Sequence, residues 1–319
     1  MKLLLIGMPA SGKSTYLGAL SHVLTSGRKK TALRLLTLSD DEAHVATLES
    51  LWLTCQPPKR TQLRSNQQGS FEVTVGDDGK RAELLIPDLS GEAFRMCPAR
   101  DLCPPGLFQM LADADGLVLF TNADRPSDDR LIFDAAPQYV ALDAAFEAEL
   151  AGDVAPDRAT ADGEIQAEEP AGTTRTDEVS DGEDPAERRF DPDAMPEEVL
   201  LVELLQQVNR APLPRKHRKL AVVASAWDVV ADADRVIAPP AWLDIHRPML
   251  SQFFQFNRDA WTVNVWGISA LGGSLPEHAD RLLAVAEPTD RIMVVGDADG
   301  VHDLTAPLRW LMTDTTTAP

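Results

Sequence analysis

The sequence has few cysteines, no long apolar run and too little positive charge to balance its acids. Its three cysteines, Cys55, Cys97 and Cys103, form a sparse and odd-numbered set, which predicts free thiols rather than a disulfide framework. No apolar stretch approaches the roughly 18 residues needed to cross a bilayer. The apolar start of the chain stops at Gly7, which is too early for a secretory signal core. We therefore expect a cytoplasmic protein with no membrane insertion.

Lysine and arginine (30 residues) are outnumbered by aspartate and glutamate (50 residues), which gives a net charge of −20 at neutral pH. This balance argues against binding to nucleic acid or to anionic membranes. Residues 151–196 hold 14 acids against four arginines and have almost no aliphatic side chains. Such a segment buries too little apolar surface to offset the entropy of ordering it. We predict a disordered acidic insertion at 151–196 within a single domain that covers residues 1–319.

Short apolar runs alternate with helical patterns along the rest of the chain. Alternating residues around a turn predict a β-hairpin over 71–86. Mostly apolar runs predict buried strands at 3–6, 116–121, 220–224 and 262–267. Apolar residues at helical spacing predict helices at 13–24, 108–112, 197–208 and 248–256. Strands that alternate with helices form parallel sheets covered on both faces, so we predict an α/β fold.

Residues 7–14 read G-M-P-A-S-G-K-S and match the phosphate-loop pattern G-x-x-x-x-G-K-S/T between a strand and a helix. Gly7 and Gly12 let the backbone curl, so that consecutive N–H groups point at phosphate oxygens. Lys13 places a positive charge near the β- and γ-phosphates, and the hydroxyl of Ser14 can bind Mg²⁺. The helix start adds its positive dipole end. The predicted phosphate site contains Gly7, Ser11, Gly12, Lys13, Ser14 and Thr15.

Three further short motifs each follow a predicted strand. Residues 88–91 (Asp-Leu-Ser-Gly) match D-x-x-G, residues 225–228 (Ser-Ala-Trp-Asp) are similar to N/T-K-x-D, and residues 269–270 (Ser-Ala) are similar to the S-A-x loop. In this order the motifs resemble those of Ras-like, TRAFAC-class P-loop GTPases. The resemblance implies a P-loop NTPase three-layer sandwich with a mostly parallel sheet. Within that class, residues 88–92, the altered base motif and residues 307–311 (Pro-Leu-Arg-Trp-Leu) resemble the bacterial double-GTPase or conflict-system GTPase group.

The resemblance implies a ligand and a role for each motif. The ligands would be GTP or GDP with Mg²⁺. Asp88 would hold Mg²⁺ through water and the Gly91 N–H would meet the γ-phosphate, so that loss of this phosphate releases the loop. Asp228 would accept two hydrogen bonds from guanine, and Ser269 and Ala270 would lie behind the ring.

Two candidate catalytic residues complete this assignment beside Lys13. Thr61 would close over Mg²⁺ and the γ-phosphate, with Thr54 as second choice. Glu92 stands where Ras-like enzymes often have the glutamine that orients the attacking water. A carboxylate close to a negative γ-phosphate is unfavourable, so we expect slow hydrolysis.

The base motif departs from the Ras-like pattern, because Ser225 replaces asparagine or threonine and Ala226 replaces lysine. We therefore expect a modest preference for GTP. We predict a slowly hydrolysing switch that regulates a bacterial multi-protein system through a protein effector or activator, with its oligomeric state left open. Residues 8–11 are similar to the loop of small-molecule kinases, so an ATP-dependent kinase is one alternative, and a nucleotide-binding module without hydrolysis is another. We interpret the basic run 215–219 as a solvated turn, or else as a contact for the acidic insertion or a partner.

Overall fold

A computed structural model describes residues 1–38, 42–57, 70–77, 79–87, 91–100, 103–124, 195–230, 237–296 and 302–313. These residues belong to one compact unit formed by Met1–Asp129 and Pro192–Pro319. Most of the predicted acidic insertion lies outside the described residues, so its disorder and the single-domain assignment stay predictions.

The described residues contain one sheet of eight strands in the order β2-β3-β4-β1-β5-β6-β7-β8. The strands are β1 (Lys2–Gly7), β2 (Arg34–Leu38), β3 (Ser70–Asp77), β4 (Lys80–Pro87), β5 (Gly116–Asn122), β6 (Arg218–Ser225), β7 (Trp261–Ser269) and β8 (Met293–Val295). The five central strands β4, β1, β5, β6 and β7 are parallel to one another. Antiparallel pairs add β3 and β2 at one edge and β8 at the other. The predicted mostly parallel sheet is confirmed.

Helices cover both faces of this sheet. In the described ranges they are α1 (Lys13–Ser26), α2 (Glu42–Leu53), α3 (Gly91–Arg100), α4 (Pro105–Asp113), α5 (Glu197–Val208), α6 (Pro239–His246), α7 (Pro248–Phe256), α8 (Ala279–Leu283) and α9 (Ala306–Met312). Alternate residues of each central strand enter different cores: Leu3 and Leu5 pack with α1, α2 and α9, while Leu4 and Ile6 pack with α3, α4, α5 and α7. This arrangement confirms the three-layer sandwich and explains why the central strands are continuously apolar.

The segment between α1 and the hairpin is more ordered than we expected. We expected a connecting segment that carries the candidate threonines Thr54 and Thr61. The structure instead places β2 and α2 within this segment. α2 crosses α1 at Gly18, where a Cβ atom would lie 2.5 Å from the carbonyl oxygen of Leu48. Val45, Leu48 and Trp52 face the core at helical spacing, and this stripe was the signal available in the sequence.

The interpretation of residues 215–219 as a solvated turn is wrong for Arg218 and Lys219, which begin β6. Arg218 is 1% exposed, and its guanidinium lies 3.3–3.5 Å from carbonyl oxygens that include those of Val208 and Leu111. These carbonyls belong to the last turns of α5 and α4, where a positive charge is favourable. Lys219 donates to the Trp310 carbonyl over 2.9 Å. Burial of Arg218 and the hydrogen bond of the partly exposed Lys219 give these two residues a structural role.

Candidate nucleotide-binding site

The predicted phosphate loop connects β1 to α1 and has the backbone that its glycines were expected to allow. Gly12 has a φ of +88°, and a Cβ atom there would lie 2.8 Å from the side chain of Ser225. A Cβ atom on Gly7 would lie 2.7 Å from the carbonyl oxygen of Phe120. At these two positions, therefore, both the backbone conformation and the close approach of a neighbour require glycine.

Two neighbouring strands hold the phosphate loop from behind. At the end of β6, the Ser225 hydroxyl lies 2.9 Å from the Ser11 carbonyl oxygen. At the end of β5, the Asn122 side-chain amide donates to the Ala10 carbonyl over 3.2 Å. Ser225 was expected in the base motif, and the structure shows that it also connects that motif to the phosphate loop. Asn122 was missed. A polar residue at the carboxyl end of an apolar strand is a signal in the sequence for a binding residue, because ligands of such folds bind at the carboxyl ends of the strands.

The Lys13 ammonium folds over the phosphate loop. It donates to the carbonyl oxygens of Gly7 and Met8 over 2.7 and 2.8 Å, and to the Ser11 hydroxyl over 3.0 Å. On its other side the Phe94 ring of α3 has its centroid 5.5 Å away. Burial lowers the pKa of Lys13 from its ordinary value to about 7, while the Glu197 carboxylate acts in the opposite direction. The charge of this lysine therefore changes near neutral pH.

Glu197 belongs to a polar network beside Lys13 that the sequence analysis missed. Its carboxylate accepts a hydrogen bond from the Thr121 hydroxyl over 3.5 Å. The buried guanidinium of Arg247 donates to the same hydroxyl over 3.3 Å and to the Asn122 carbonyl over 3.1 Å. Glu197 looked like an ordinary acid in the first turn of α5, where the helix dipole favours it. The fold brings it to the end of β5, next to the phosphate loop.

The predicted base-reading residues meet at the ends of β6 and β7. Asp228 lies in the 3₁₀ turn Trp227–Val229, directly after β6. The Ser269 hydroxyl donates to the Asp228 carboxylate, and the Gly272 N–H donates to the Ser269 hydroxyl over 2.9 Å. Ala270 follows Ser269 directly. The structure thus brings Asp228, Ser269 and Ala270 together at the ends of β6 and β7.

The buried side chain of Trp227 anchors the 3₁₀ turn that carries Asp228. The indole lies directly over Gly267 of β7, where a Cβ atom would lie 2.2 Å from the ring. Trp242 of α6 packs edge-on against the same indole with a centroid distance of 5.5 Å. The turn that carries Asp228 is therefore fixed by a ring that fits only over glycine.

A pocket runs from the start of α1 to the loop after β7. It is lined by Ser14, Thr15, Leu48, Leu51, Trp52, Gln56, Leu271 and Leu275. The hydroxyl residues Ser14 and Thr15 lie at one end of the pocket, where the phosphate loop meets α1. Leu271, which follows Ala270 in the chain, lies at the other end. The pocket therefore lies between the phosphate end of the candidate site and the loop that carries Ala270.

One protein-family model covers nearly the whole chain. The model of the family described as Double-GTPase 1 matches residues 4–311. The chain belongs to the Double-GTPase 1 family. Comparison with the curated proteins gives no significant match.

Membership in the Double-GTPase 1 family gives the chain a GTPase-type nucleotide-binding function with a guanine nucleotide as ligand. It confirms the predicted resemblance to the double-GTPase group and agrees with the Ras-like class. It favours this function over the alternative of a small-molecule kinase. Within the described part of the chain, no helix is both long enough and apolar enough to cross a membrane.

Several predicted residues of this Double-GTPase 1 site are not placed by the structure. Thr61 and Asp88 lie outside the described residues. Gly91 and Glu92 begin α3, but the side chain of Glu92 is not described. Thr54, the second choice for the switch, donates its hydroxyl to the Ser50 carbonyl over 2.7 Å at the end of α2. The described residues contain no group of three or more histidine, cysteine or acidic side chains that could hold a metal, so the magnesium site stays a prediction.

Proposed function

We propose that this double-GTPase is a Mg²⁺-dependent switch that binds GTP, hydrolyses it slowly and regulates a multi-protein system through an effector or activator. The observation that carries the proposal is the Ser225 hydroxyl, 2.9 Å from the Ser11 carbonyl. Three residues after Ser225, Asp228 lies against Ser269. One short segment therefore sets the spacing between the phosphate end and the base end of the ligand.

The residues present fit a magnesium ion. Mg²⁺ prefers oxygen ligands and is usually held by one or two protein groups together with substrate phosphates and water. Ser14 supplies a hydroxyl in the first turn of α1, and among the described residues that hydroxyl has no hydrogen-bond partner. Ser14, Asp88 and Thr61 are the residues that would hold the ion. When bound, it would neutralise charge on the β- and γ-phosphates.

The start of α3 supports the switch assignment. Gly91 begins this helix, and Phe94, one turn later, contacts the Lys13 ammonium. Gly91, the last residue of the D-x-x-G motif, therefore begins a helix that reaches the phosphate end of the site. A γ-phosphate bound there would hold the motif, and its loss would release it. We assign Lys13, Thr61 and Glu92 as the catalytic residues, and the acidic Glu92 is the reason to expect slow turnover.

Nucleotide titration followed by a turnover assay tests this proposal. The unmodified protein should bind GTP more tightly than ATP in the presence of Mg²⁺, and chelation of the metal should weaken binding. Phosphate release should be slow but measurable, whereas binding without any release would support a module that does not hydrolyse nucleotide.

Nucleotide affinity is compared in two lysine variants, one at each end of the unit formed by β1, the phosphate loop and the start of α1. Lys13→Ala should abolish binding without unfolding the protein, because the ammonium contacts the loop rather than the core. Lys2→Ala is the matched control, since Lys2 lies at the far end of β1 and pairs with Asp113 over 3.6 Å. Tighter binding of ATP than of GTP, or unchanged affinity in Lys13→Ala, would contradict the proposal.

A further inference from the structure

Helix α2 carries none of the nucleotide motifs, yet it forms one wall of the pocket between the phosphate loop and the base loop. Leu48, Leu51 and Trp52 line that wall, and Gln56 follows just after the helix. The close crossing at Gly18 fixes α2 against α1, the helix that starts at the phosphate loop. The wall is therefore held in a defined position relative to both ends of the site.

Trp52 connects α2 directly to the base-reading loop. Its indole N–H donates to the Ala270 carbonyl over 2.7 Å, and the side chain is only 3% exposed. The Arg291 guanidinium lies 5.6 Å from the centroid of the indole. Arg291 also abuts the base loop, because a Cβ atom on Gly272 would lie 2.6 Å from the Arg291 carbonyl oxygen. The indole is thus held in place while its single polar atom fixes Ala270.

Among the described residues that line the pocket, Gln56 has an amide side chain, and the hydroxyl residues Ser14 and Thr15 lie at the phosphate end. Gln56 is exposed, and its side-chain amide has no hydrogen-bond partner among the described residues. An amide can both donate to and accept from vicinal hydroxyl groups. The pocket lies between Ser14 and Thr15 of the phosphate end and Leu271, which follows Ala270, so we place the sugar of a bound nucleotide along it.

We propose that α2 is the nucleoside wall of the site, in which Trp52 positions Ala270 for base recognition and Gln56 hydrogen-bonds the sugar hydroxyls. This inference rests on the proposed function, because it requires a nucleotide in the cleft. It assigns a positioning residue to α2 and a sugar-binding residue to the segment just after it, both outside the four motifs.

The first test compares two tryptophan variants. Trp52→Phe removes the N–H that holds Ala270, and it should lower GTP affinity by about threefold to tenfold, as expected for loss of one buried hydrogen bond. The preference for GTP over ATP should fall with it. Trp266→Phe is the matched control, because this buried indole nitrogen has no hydrogen-bond partner in the part of the chain that the structure describes. Melting temperatures of both variants separate loss of stability from loss of base recognition. An unchanged GTP-to-ATP ratio in Trp52→Phe would overturn the positioning role.

The second test concerns the sugar and uses an exposed residue, so folding is preserved. Gln56→Ala should weaken GTP several-fold but leave binding of 2′,3′-dideoxy-GTP unchanged, because that analogue lacks both hydroxyls. Gln252→Ala, an exposed glutamine on α7, is the control and should change neither affinity. Equal losses for both nucleotides, or none, would overturn the sugar contact.

The same titrations separate this inference from the function on which it rests. If the unmodified protein binds GTP and Lys13→Ala does not, the proposed function stands whatever the α2 variants do. If the unmodified protein binds neither GTP nor ATP, both the function and the nucleoside wall are refuted.

Discussion

Lys13 should make nucleotide binding depend on pH in the neutral range. Burial lowers the pKa of its ammonium to about 7, and only the charged form can pair with phosphate. The charged fraction then falls from about one half at pH 7 to about one hundredth at pH 9. If only that form binds, GTP affinity should fall by about fiftyfold over this interval. Phosphate groups have their last pKa near 6, so the phosphate groups of the ligand keep their charge over this range.

The stability of the protein alone should change in the opposite direction. The pKa of Lys13 is lower in the folded chain than its ordinary value of 10.5, so the unfolded chain binds more protons between these two values. Folding stability contributed by this group therefore increases as pH rises from 7 to about 10.5. If GTP affinity falls as pH rises while the midpoint of urea unfolding does not fall, then general unfolding is excluded as the cause of the lost affinity.

A carboxylate variant tests the cause of this pH dependence. Glu197 opposes the effect of burial on the pKa of Lys13, so Glu197→Gln should lower that pKa further and move the midpoint of binding to lower pH. Glu203→Gln is the control on the same helix, where the carboxylate pairs with Arg210 over 3.4 Å. Isothermal titration at half-unit pH intervals measures all three proteins. Affinity that is constant from pH 7 to 9, or an unshifted midpoint in Glu197→Gln, would refute the reasoning.

Three further predictions concern the base loop and the thiols. Asp228→Asn should weaken GTP and favour xanthine nucleotides, whose extra carbonyl can accept from the amide; competition titrations that still rank GTP first would contradict this. Gly267→Ala should displace Trp227, whose ring would lie 2.2 Å from the new Cβ, and cost about 1–3 kcal/mol of stability in urea unfolding together with guanine preference; a wild-type midpoint would refute it. Cys103, which is exposed and whose pKa is lowered by a hydrogen bond from the Cys97 thiol, should react with iodoacetamide before the two buried cysteines; mass spectrometry that finds Cys55 labelled first would refute this order.

Much of the fold could be predicted because buried parallel strands leave a strong pattern. A strand covered on both faces is apolar at nearly every position, and residues 3–6 and 117–120 have this property. The predicted helices at 197–208 and 248–256 match α5 and α7 at both ends. α2 escaped prediction because its apolar stripe is short and lies in a segment otherwise dominated by polar residues.

The phosphate loop could be predicted because its chemistry is concentrated in eight consecutive residues. The remaining parts of the site depend on contacts between residues that are distant in the chain. Ser225 contacts Ser11 across 214 positions, and Trp52 contacts Ala270 across 218. No local pattern encodes such a contact, because it follows from the order of strands in the sheet. Arg218 was misread for the same reason, since the helix ends that surround it are brought there only by folding.

Arg218 also determines how the two halves of the chain hold together. Its guanidinium joins the Leu111 carbonyl, which precedes residues 125–194, to the Val208 carbonyl, which follows them. Beside it, β5 and β6 pair in register from Gly116 opposite Lys219 to Asn122 opposite Ser225. None of these contacts passes through the intervening segment. A break in the covalent chain there would leave two fragments with complementary strand edges. The chain is therefore suited to fragment complementation. Neither fragment alone contains the whole nucleotide cleft.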